Sequence, residues 1–480
     1  MRRLLNPSIK IIRNKTRNIL YKVDEFFRTP DPICPISTAD AILLLLFDGT
    51  RTDEEVERDF QKIFKSGQLK DLNSQVELYK HRFTINDLLV DAEFYSYEEI
   101  EKYGNRIDPL SLIVPQKEFD MQFGGLRLDY PLSLNFNVST SCPFSCEYCY
   151  HPLNDVQPYL PLDRLKAILK QFKDVGAESV MLTGGDPMLR PDIDDIMVYL
   201  HQIDLFYALS TKSVLSDERI NKLHAEAGLD RIQISLDSAN PYVVEKLIHA
   251  GPGYFNACIH QIEYMKKLGI DVRAKSVLTS ETADGLSDYF SLMNSLGVNH
   301  IQVVSYGRSG SRHKDSLFAS EKQLQMASIA VEEARAQYPD MLIVGGGYSV
   351  QMANNESKIE DFFGKRAICN AGRFSVTMLP NGEVTVCEQL PYDKKYIIGN
   401  LAEQDLMEWW NSDQLQSWLS PPERNCFQKD VPCYNCKEDK YQECHMKYSR
   451  CLRYCNEYFG NTEMPDVNCP MAVYDEFRMV

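Results

Sequence analysis

The chain has 480 residues, of which 44% are hydrophobic and 25% are charged, the proportions of a folded globular protein. This composition excludes a disordered, collagen-like or low-complexity chain, and at roughly 150 residues per domain the length predicts about three domains. The formal net charge of −16, from 52 basic and 68 acidic residues, disfavours nucleic acid and membrane surfaces as partners.

The N-terminal segment is basic but carries no export or membrane signal. The longest uncharged apolar run, Ala41–Phe47, is far shorter than the roughly 20 residues of a membrane span. The residues before it lack the apolar stretch and the small-residue cleavage site of a secretory signal. We therefore predict a cytoplasmic protein, in which thiols stay reduced.

Residues 1–105 are predicted to form one small module. The apolar run from Ala39 to Phe47 ends at Asp48-Gly49, a turn signal, and Thr52 with the acidic residues after it is typical of a helix N-terminus. The sequence therefore predicts a helix, a tight turn and a second helix, followed by a linker over 106–130.

Residues 131–310 alternate between strand and helix patterns. Apolar residues alternate with polar ones from Leu132 to Val138, as in a strand, and recur at helical spacing from Leu165 to Val175 before Gly176. Further strands are predicted near 179–183, 206–211, 231–236, 272–278 and 300–304. Parallel pairing through right-handed crossovers then gives an α/β fold with a partial (β/α)6 TIM-like barrel, whose functional groups lie at the C-terminal strand ends.

The rest of the chain divides into a bridging segment and a cysteine-rich domain. Residues 311–365 are predicted as a linker or bridging region, because 306–320 is rich in Gly, Ser and charge. Residues 366–480 form the predicted C-terminal domain, in which Pro380-Asn381-Gly382 indicates a hairpin. Beyond Trp410 regular periodicity fades, as expected where metal and not apolar burial organises the fold.

Most of the cysteines fall into two groups, while Cys34 and Cys258 stand alone. Clustered thiols in a reducing compartment predict metal sites and not disulfides. The first group is Cys142, Cys146 and Cys149, and the second is Cys369, Cys387, Cys426, Cys433, Cys436, Cys444, Cys451, Cys455 and Cys469.

The first group supplies three thiolates to a four-iron cluster and leaves one iron open to a ligand. A zinc knuckle is the alternative, but a closed zinc site needs a fourth ligand, and His151 is too close in sequence to serve comfortably. The segment from Cys142 to Cys149, with Tyr148 before the third cysteine, resembles the defining motif of the radical SAM superfamily. The resemblance implies that S-adenosylmethionine (SAM) binds the open iron and is cleaved by one electron to a 5'-deoxyadenosyl radical, which abstracts a substrate hydrogen.

Polar residues at later strand ends resemble the cofactor-binding motifs of this superfamily. Gly184-Gly185-Asp186 is similar to its Gly-Gly-Glu segment, which implies that this backbone and carboxylate receive the SAM ammonium. The segments Ser210-Thr211-Lys212 and Ser235-Leu236-Asp237-Ser238 resemble the strand ends that line the cofactor, which implies that Ser235 and Asp237 lie near its ribose and methionine.

One cofactor position departs from the family pattern. Many relatives place an arginine before a glycine like Gly251 to bind the methionine carboxylate, and here the residue is Ala250. The resemblance leaves His249, Arg273 or Lys275 as substitutes.

The second group resembles the SPASM extension, which implies two auxiliary [4Fe-4S] clusters and three clusters in all. The resemblance places Cys369, Cys387 and Cys455 in the first auxiliary cluster, completed by Cys426 or left with an open iron. It places Cys433, Cys436 and Cys469 in the second, with Cys451 or Cys444 as the fourth ligand. Zinc is the alternative for Cys433-x2-Cys436.

The N-terminal module resembles a peptide-binding domain. Its segments 36–43 and 48–55 are similar to a RiPP recognition element, a winged-helix-like domain that adds the leader of a precursor peptide to a sheet edge. A generic helical cap on the barrel is the alternative.

Together these resemblances imply a peptide maturase that installs a crosslink, plausibly a thioether between a cysteine sulfur and a carbon, in a ribosomally made precursor. Carbon–carbon crosslinking would use the same machinery, and an external flavodoxin- or ferredoxin-like protein would supply electrons. A sulfatase-maturase-like enzyme that forms formylglycine is an alternative. Such relatives carry an aspartate base where Glu388 stands, so Glu388 is a speculative base or a plain surface carboxylate. A non-catalytic iron-sulfur carrier is the third hypothesis.

Overall fold

The computed structural model shows two compact units, Met1–Asp129 and Tyr130–Val480. It describes residues 2–14, 16–24, 26–64, 72–83, 87–96, 98, 100, 108–114, 127–151, 157–308, 312–348, 369–448, 450–467 and 469–471. Within these residues, no helix is both long enough and apolar enough to cross a membrane.

In its described residues, the N-terminal unit combines three α-helices with two antiparallel three-stranded sheets, in the orders β5-β1-β6 and β2-β3-β4. Its strands are β1 (Arg2–Leu5), β2 (Ile9–Asn14), β3 (Arg17–Val23), β4 (Pro30–Ile36), β5 (Asp48–Thr52) and β6 (Leu89–Asp91). Its helices are α1 (Thr38–Leu46), α2 (Asp53–Ile63) and α3 (Leu72–Phe83).

One predicted element of this unit is different in the structure. The segment after α1 is strand β5, which pairs with β1, and not merely the tight turn that Asp48-Gly49 indicates. Both predicted helices are present, and Thr52 caps α2 in a capping box with Glu55. The winged-helix character of the unit stays a prediction.

The second unit contains a mixed ten-stranded sheet in the order β13-β12-β11-β10-β9-β8-β7-β14-β15-β16. The strands are β7 (Ser133–Ser139), β8 (Ser179–Gly184), β9 (Phe206–Thr211), β10 (Arg231–Ser235), β11 (Asp271–Leu278), β12 (His300–Ser305), β13 (Leu342–Val344), β14 (Ser375–Met378), β15 (Glu383–Thr385) and β16 (Ile397–Asn400). Strands β7 to β12 are the six that the sequence predicts, and they pair in parallel. Strands β13 and β14 extend the parallel run at its two ends, which the sequence did not predict.

Helices follow most of the parallel strands, as the alternating pattern predicts. They are α4 (Leu162–Val175), α5 (Ile193–Gln202), α6 (Asp217–Ala227), α7 (Pro241–Ile248), α8 (Tyr254–Lys267), α9 (Leu286–Ser295) and α10 (Glu321–Gln337). Leu165, Leu169 and Phe172 of α4 are buried in the core, and the helix ends at Gly176, whose φ of 89° suits glycine.

The C-terminal region is part of the same sheet. Strands β14 and β15 form the predicted hairpin through Pro380-Asn381-Gly382, and β14 pairs in parallel with β7. Four short helices follow, α11 (Leu406–Trp410), α12 (Asp413–Leu419), α13 (Glu438–Gln442) and α14 (Leu452–Phe459), although periodicity fades there. The predicted bridging segment contains α10 and β13, and its residues 349–365 lie outside the described residues.

Candidate active site

The first cysteine group lies in the loop after β7, at the C-terminal end of the parallel strands. Cys146 is buried, and Cys142 and Cys149 are half-buried. Burial raises the pKa of Cys142 to about 11 and that of Cys146 to about 12, because an apolar environment disfavours the thiolate. The negative charge of Cys149 adds to both shifts, so the three thiols act on one another; that they hold one cluster stays a prediction.

The loop is fixed by backbone contacts. The Cys149 N–H donates to the Cys146 carbonyl at 3.2 Å, and Nη1 of Arg312 donates to the same carbonyl at 3.3 Å. His151 is turned to another partner, since its Nε2 lies 3.1 Å from the Tyr392 hydroxyl. The structure therefore gives the zinc alternative no support from His151.

Gly184 and Gly185 pack against this cysteine loop. The Gly185 N–H donates to the Ser139 carbonyl at 2.7 Å. A Cβ atom would lie 2.2 Å from the Ser139 carbonyl oxygen at Gly184 and 2.2 Å from the Ser141 carbonyl oxygen at Gly185. The paired glycines are thus required for the approach of two protein backbones, and their predicted contact with the cofactor stays a prediction.

The carboxylate of Asp186 accepts hydrogen bonds from neighbouring residues of the protein. Its Oδ1 accepts from Thr211 Oγ1 at 2.8 Å and from the Met188 N–H at 3.0 Å. Its Oδ2 accepts from Thr211 Oγ1 at 2.9 Å and from the N–H groups of Lys212 and Ser213 at 2.9 and 3.1 Å. These donors occupy the carboxylate, so we infer that it joins the ends of β8 and β9 and has little capacity left for a SAM ammonium.

This geometry predicts that Asp186→Glu is harmful, although glutamate is the residue of the family motif. The longer side chain moves the carboxylate away from donors that are fixed in the backbone. Because buried donors left unpaired cost about 1–3 kcal/mol each, we expect the free energy of unfolding in urea to fall by about that amount. Asp174→Glu, at an exposed position on α4, is the matched control and should be neutral. Wild-type stability of Asp186→Glu would contradict the assignment.

Asp237, at the end of β10, is the centre of a buried polar cluster. Its carboxylate accepts from the Tyr148 hydroxyl, from Lys212 Nζ at 3.1 Å and from the Val277 N–H at 3.1 Å. The same ammonium lies 5.5 Å from the centroid of the Tyr148 ring. The structure thus brings the predicted residues Tyr148 and Asp237 together through Lys212. Lys212 belongs to the segment Ser210-Thr211-Lys212 that resembles a cofactor-lining strand end, but the sequence does not reveal its ion pair with Asp237.

The remaining predicted cofactor residues lie on the neighbouring strands. Ser210 Oγ accepts from Gln233 Nε2 at 2.7 Å, and the Ser235 carbonyl is 3.4 Å from Lys212 Nζ. Lys275, on β11, is largely buried, and burial lowers its pKa while the charge of Glu388 opposes that shift. Their predicted contacts with SAM stay predictions.

The other two candidates for the carboxylate of SAM have different environments. His249 ends α7 with a φ of 57°, and its Nε2 lies 3.4 Å from Glu147 at the protein surface. His249 therefore contacts the loop of the first cysteine group through Glu147. Arg273, in contrast, is buried on β11.

Glu388 links the first cysteine loop to the second group. Its Oε2 accepts from Asn135 Nδ2 at 2.8 Å, and its Oε1 lies 3.5 Å from the hydroxyl of Tyr150, the residue after Cys149. The charge of Glu388, together with burial, raises the pKa of Tyr150. Because Glu388 follows Cys387 directly, the two cysteine groups meet at this contact.

Thiols of the second group act on one another electrostatically, and their assignment to two clusters stays a prediction. Burial and then the charges of Glu388, Cys369 and Cys451 raise the pKa of Cys387 to about 12. Cys369 also acts on Cys451, so the three thiols form one cluster of charges. The resemblance adds Cys455 to Cys369 and Cys387. Its buried sulfur contacts the carbonyls of Met464 and Pro465, each at 3.4 Å, and the charge of Cys451 contributes to the raised pKa of Cys455.

Four further thiols form the other part of the second group. Burial raises the pKa of Cys433 to about 12, and Cys469, Cys444 and Cys436 add to this shift. The pKa of Cys469 is likewise raised to about 11 by burial, with contributions from Cys444 and Cys436. Cys444 thus acts on both Cys433 and Cys469, and the choice between Cys444 and Cys451 as the fourth ligand stays a prediction. Cys426 is exposed to solvent.

Comparison with known proteins identifies the two cysteine regions. The sequence model of the Radical SAM superfamily matches residues 136–284, and that of SPASM, an iron-sulfur cluster-binding domain, matches 369–437. The chain is a radical SAM enzyme with a SPASM domain.

Two relatives of this radical SAM enzyme are named PqqA peptide cyclase. The protein from Gluconobacter oxydans is 26% identical over 317 residues, which cover 64% of this chain and 86% of the relative. The protein from Streptomyces rochei is 25% identical over 326 residues, covering 65% and 86%.

Solved structures share the fold at low sequence identity. SuiB of Streptococcus suis bound to S-adenosylmethionine has a TM-score of 0.60 and 17% identity, covering 98% of this chain and 100% of SuiB. The protein anSMEcpe with bound AdoMet has a TM-score of 0.50 and 17% identity, covering 71% and 90%. These likenesses show the fold of the radical SAM and SPASM domains.

The donor set fits iron-sulfur clusters better than single metal ions. Among the described residues, no three Cys, His, Asp or Glu side chains converge as a site for one metal ion. A four-iron cluster is bound by cysteine thiolates, so the all-cysteine composition of the two groups fits it.

A basic side chain accompanies each thiol cluster of this radical SAM enzyme. The charge of Lys212 opposes the effect of burial on Cys142 and Cys146, that of Arg373 does so at Cys369, and that of Arg450 at Cys433. Positive charge at buried thiols favours their thiolate forms, which are the forms that bind metal.

Proposed function

We propose that this enzyme is a peptide maturase that forms a crosslink, a thioether between a cysteine sulfur and a carbon, in a ribosomally made precursor peptide. The contact between Tyr150 and Glu388 carries the proposal, because it joins the radical-forming cysteine group to the SPASM cysteines. The naming of relatives as peptide cyclases supports ring formation in a peptide, and SuiB has been solved with its precursor peptide SuiA.

The proposed chemistry is an oxidation of the peptide by two hydrogens. When bound, a reduced cluster and SAM would supply a 5'-deoxyadenosyl radical, which removes one hydrogen atom from a peptide carbon. The peptide also loses a thiol proton, for which Glu388 is the candidate acceptor, and a carbon–sulfur bond forms. One electron is then left over, and an auxiliary cluster held by SPASM cysteines, Cys369 and Cys387 among them, would accept it.

We further propose three [4Fe-4S] clusters, a cytoplasmic location and an external flavodoxin- or ferredoxin-like electron donor. The charges that link Cys433, Cys436, Cys444 and Cys469 support a separate second auxiliary cluster.

We propose the N-terminal module as the leader-binding domain, in which the leader peptide adds to a sheet edge. Strand β4 is a poor edge for this purpose, because Pro30, Pro32 and Pro35 have no N–H to donate. We therefore expect the leader to use another edge of the two sheets.

Mass spectrometry of a candidate precursor peptide tests the proposal. The anaerobically reconstituted enzyme, incubated with SAM and a reductant, should form 5'-deoxyadenosine and a peptide lighter by two hydrogens that resists thiol alkylation. The same mass loss with an alkylatable thiol would indicate a carbon–carbon crosslink, and an aldehyde at a cysteine or serine would indicate formylglycine. An iron-loaded enzyme that forms no 5'-deoxyadenosine would support the carrier hypothesis and overturn the proposal.

A further inference from the structure

Each polar group of Lys212, the backbone N–H, the carbonyl and the ammonium, has a partner within the protein. Its N–H donates to Asp186 Oδ2 at 2.9 Å, and its carbonyl accepts from the Tyr254 hydroxyl at 2.9 Å. Its ammonium forms an ion pair with Asp237 at 3.1 Å, where the two side chains are 14% and 1% exposed. The charge of Lys212 is therefore fixed inside the protein, where solvent screens it little.

This fixed charge faces the first cysteine loop. Tyr148 lies between Cys146 and Cys149, and Lys212 Nζ is 5.5 Å from the centroid of its ring while the Tyr148 hydroxyl donates to Asp237. The ammonium favours the thiolate at all three sulfurs of the group. Asp237 opposes it at Cys146, where the charge of Lys212 has the larger effect.

A contribution to protein stability does not account for a buried ion pair of this kind. Taking a lysine and an aspartate out of water costs several kcal/mol per ion, and apolar residues of similar volume often stabilise a protein equally well. The Lys212–Asp237 pair therefore points to a role for the charge.

We propose that Lys212 is a positioning residue that raises the reduction potential of the cluster held by Cys142, Cys146 and Cys149. The cluster gains negative charge when it is reduced, and a fixed cation close to its ligands stabilises that reduced state. Tyr148 and Asp237 hold the ammonium at its distance from the loop. The proposal rests on the cluster of the first group and is independent of the bond formed in the peptide.

The test is a potentiometric titration of the reconstituted full-length enzyme, followed by electron paramagnetic resonance. The first cluster is distinguished from the others by the change that SAM causes in its signal. Lys212→Met removes the charge at nearly equal length, and Lys212→Arg keeps it. Lys170→Met, which removes an exposed lysine paired with Asp174, is the matched control.

We expect Lys212→Met to make reduction of the first cluster at least tenfold less favourable, a fall of about 59 mV for a one-electron couple. The auxiliary potentials should not change, and Lys212→Arg should restore most of the shift. An unchanged reduction potential of the first cluster in Lys212→Met would overturn the proposal. This holds even if the variant binds SAM more weakly, because Lys212 would then serve cofactor binding alone.

A second variant addresses the case in which the unpaired Asp237 prevents folding. Lys212→Met/Asp237→Asn removes both charges, and the potential should still fall, because Lys212 acts on all three thiols. A wild-type potential in this double variant would overturn the proposal. A wild-type enzyme that loads no four-iron cluster would overturn the cofactor assignment itself.

Discussion

Alanine in place of Cys146 is expected to abolish the reductive cleavage of SAM. Cys146 is the most buried thiol of the first group. Its backbone carbonyl accepts hydrogen bonds from the Cys149 N–H and from Arg312 Nη1. Loss of an outer partner of a metal ligand already costs 10–100-fold, so loss of a ligand should lower the formation of 5'-deoxyadenosine by more than about a hundredfold. The iron content should fall by about four atoms per chain, from about twelve.

Cys258→Ala provides the control for this experiment. Cys258 is equally buried, in α8 of the same unit, but it belongs to neither cysteine group. We expect its iron content and its SAM cleavage to stay at the wild-type level. If Cys146→Ala retained full iron and full cleavage, the first group would not be the radical-forming site.

Gly185→Ala is expected to have the second largest effect. The new methyl group would lie 2.2 Å from the Ser141 carbonyl oxygen, a backbone atom one residue before Cys142. Overpacking of this kind costs about 1–3 kcal/mol or more. We expect a loss of stability of about 3 kcal/mol and loss of the first cluster, measured by urea unfolding of the iron-free chain and by iron content after reconstitution.

Gly251→Ala is the matched glycine variant. A Cβ atom at Gly251 meets nothing within 4 Å, although the position belongs to the segment where the family pattern expects a cofactor contact. It should leave stability and iron content unchanged. Equal iron loading in Gly185→Ala and Gly251→Ala would show that the close approach of β8 to the cysteine loop is not needed for the cluster.

The six long parallel strands and the hairpin of β14 and β15 were predictable, whereas β5, β13 and the pairing of β14 with β7 were not. Strands β7 to β12 have apolar residues in a regular pattern, so each one is detectable from its own sequence. Strand β5 has the sequence Asp-Gly-Thr-Arg-Thr and is a strand because β1, far away in sequence, pairs with it. Strand β13 has three residues and strand β14 four, and both owe their place to neighbours in the sheet.

In the candidate site, too, local features were predictable from the sequence and contacts between distant segments were not. The spacing of Cys142, Cys146 and Cys149 is local, so the sequence reveals this site directly. The companion of Cys369 and Cys387 depends on how distant segments of the chain meet, so the spacing of the cysteines alone does not identify it. The role of Lys212 also depends on residues from other strands.

The parallel pairing of β14 with β7 has a consequence for synthesis of the chain on the ribosome. Ser133 pairs with Ser375, so the strand before the first cysteine loop emerges long before one of its two neighbours exists. At roughly 5–20 residues per second, the intervening ~240 residues take about 10–50 s to make. During that interval β7 has an open edge, and we expect iron to be inserted into the first site only after translation of the SPASM strands is complete.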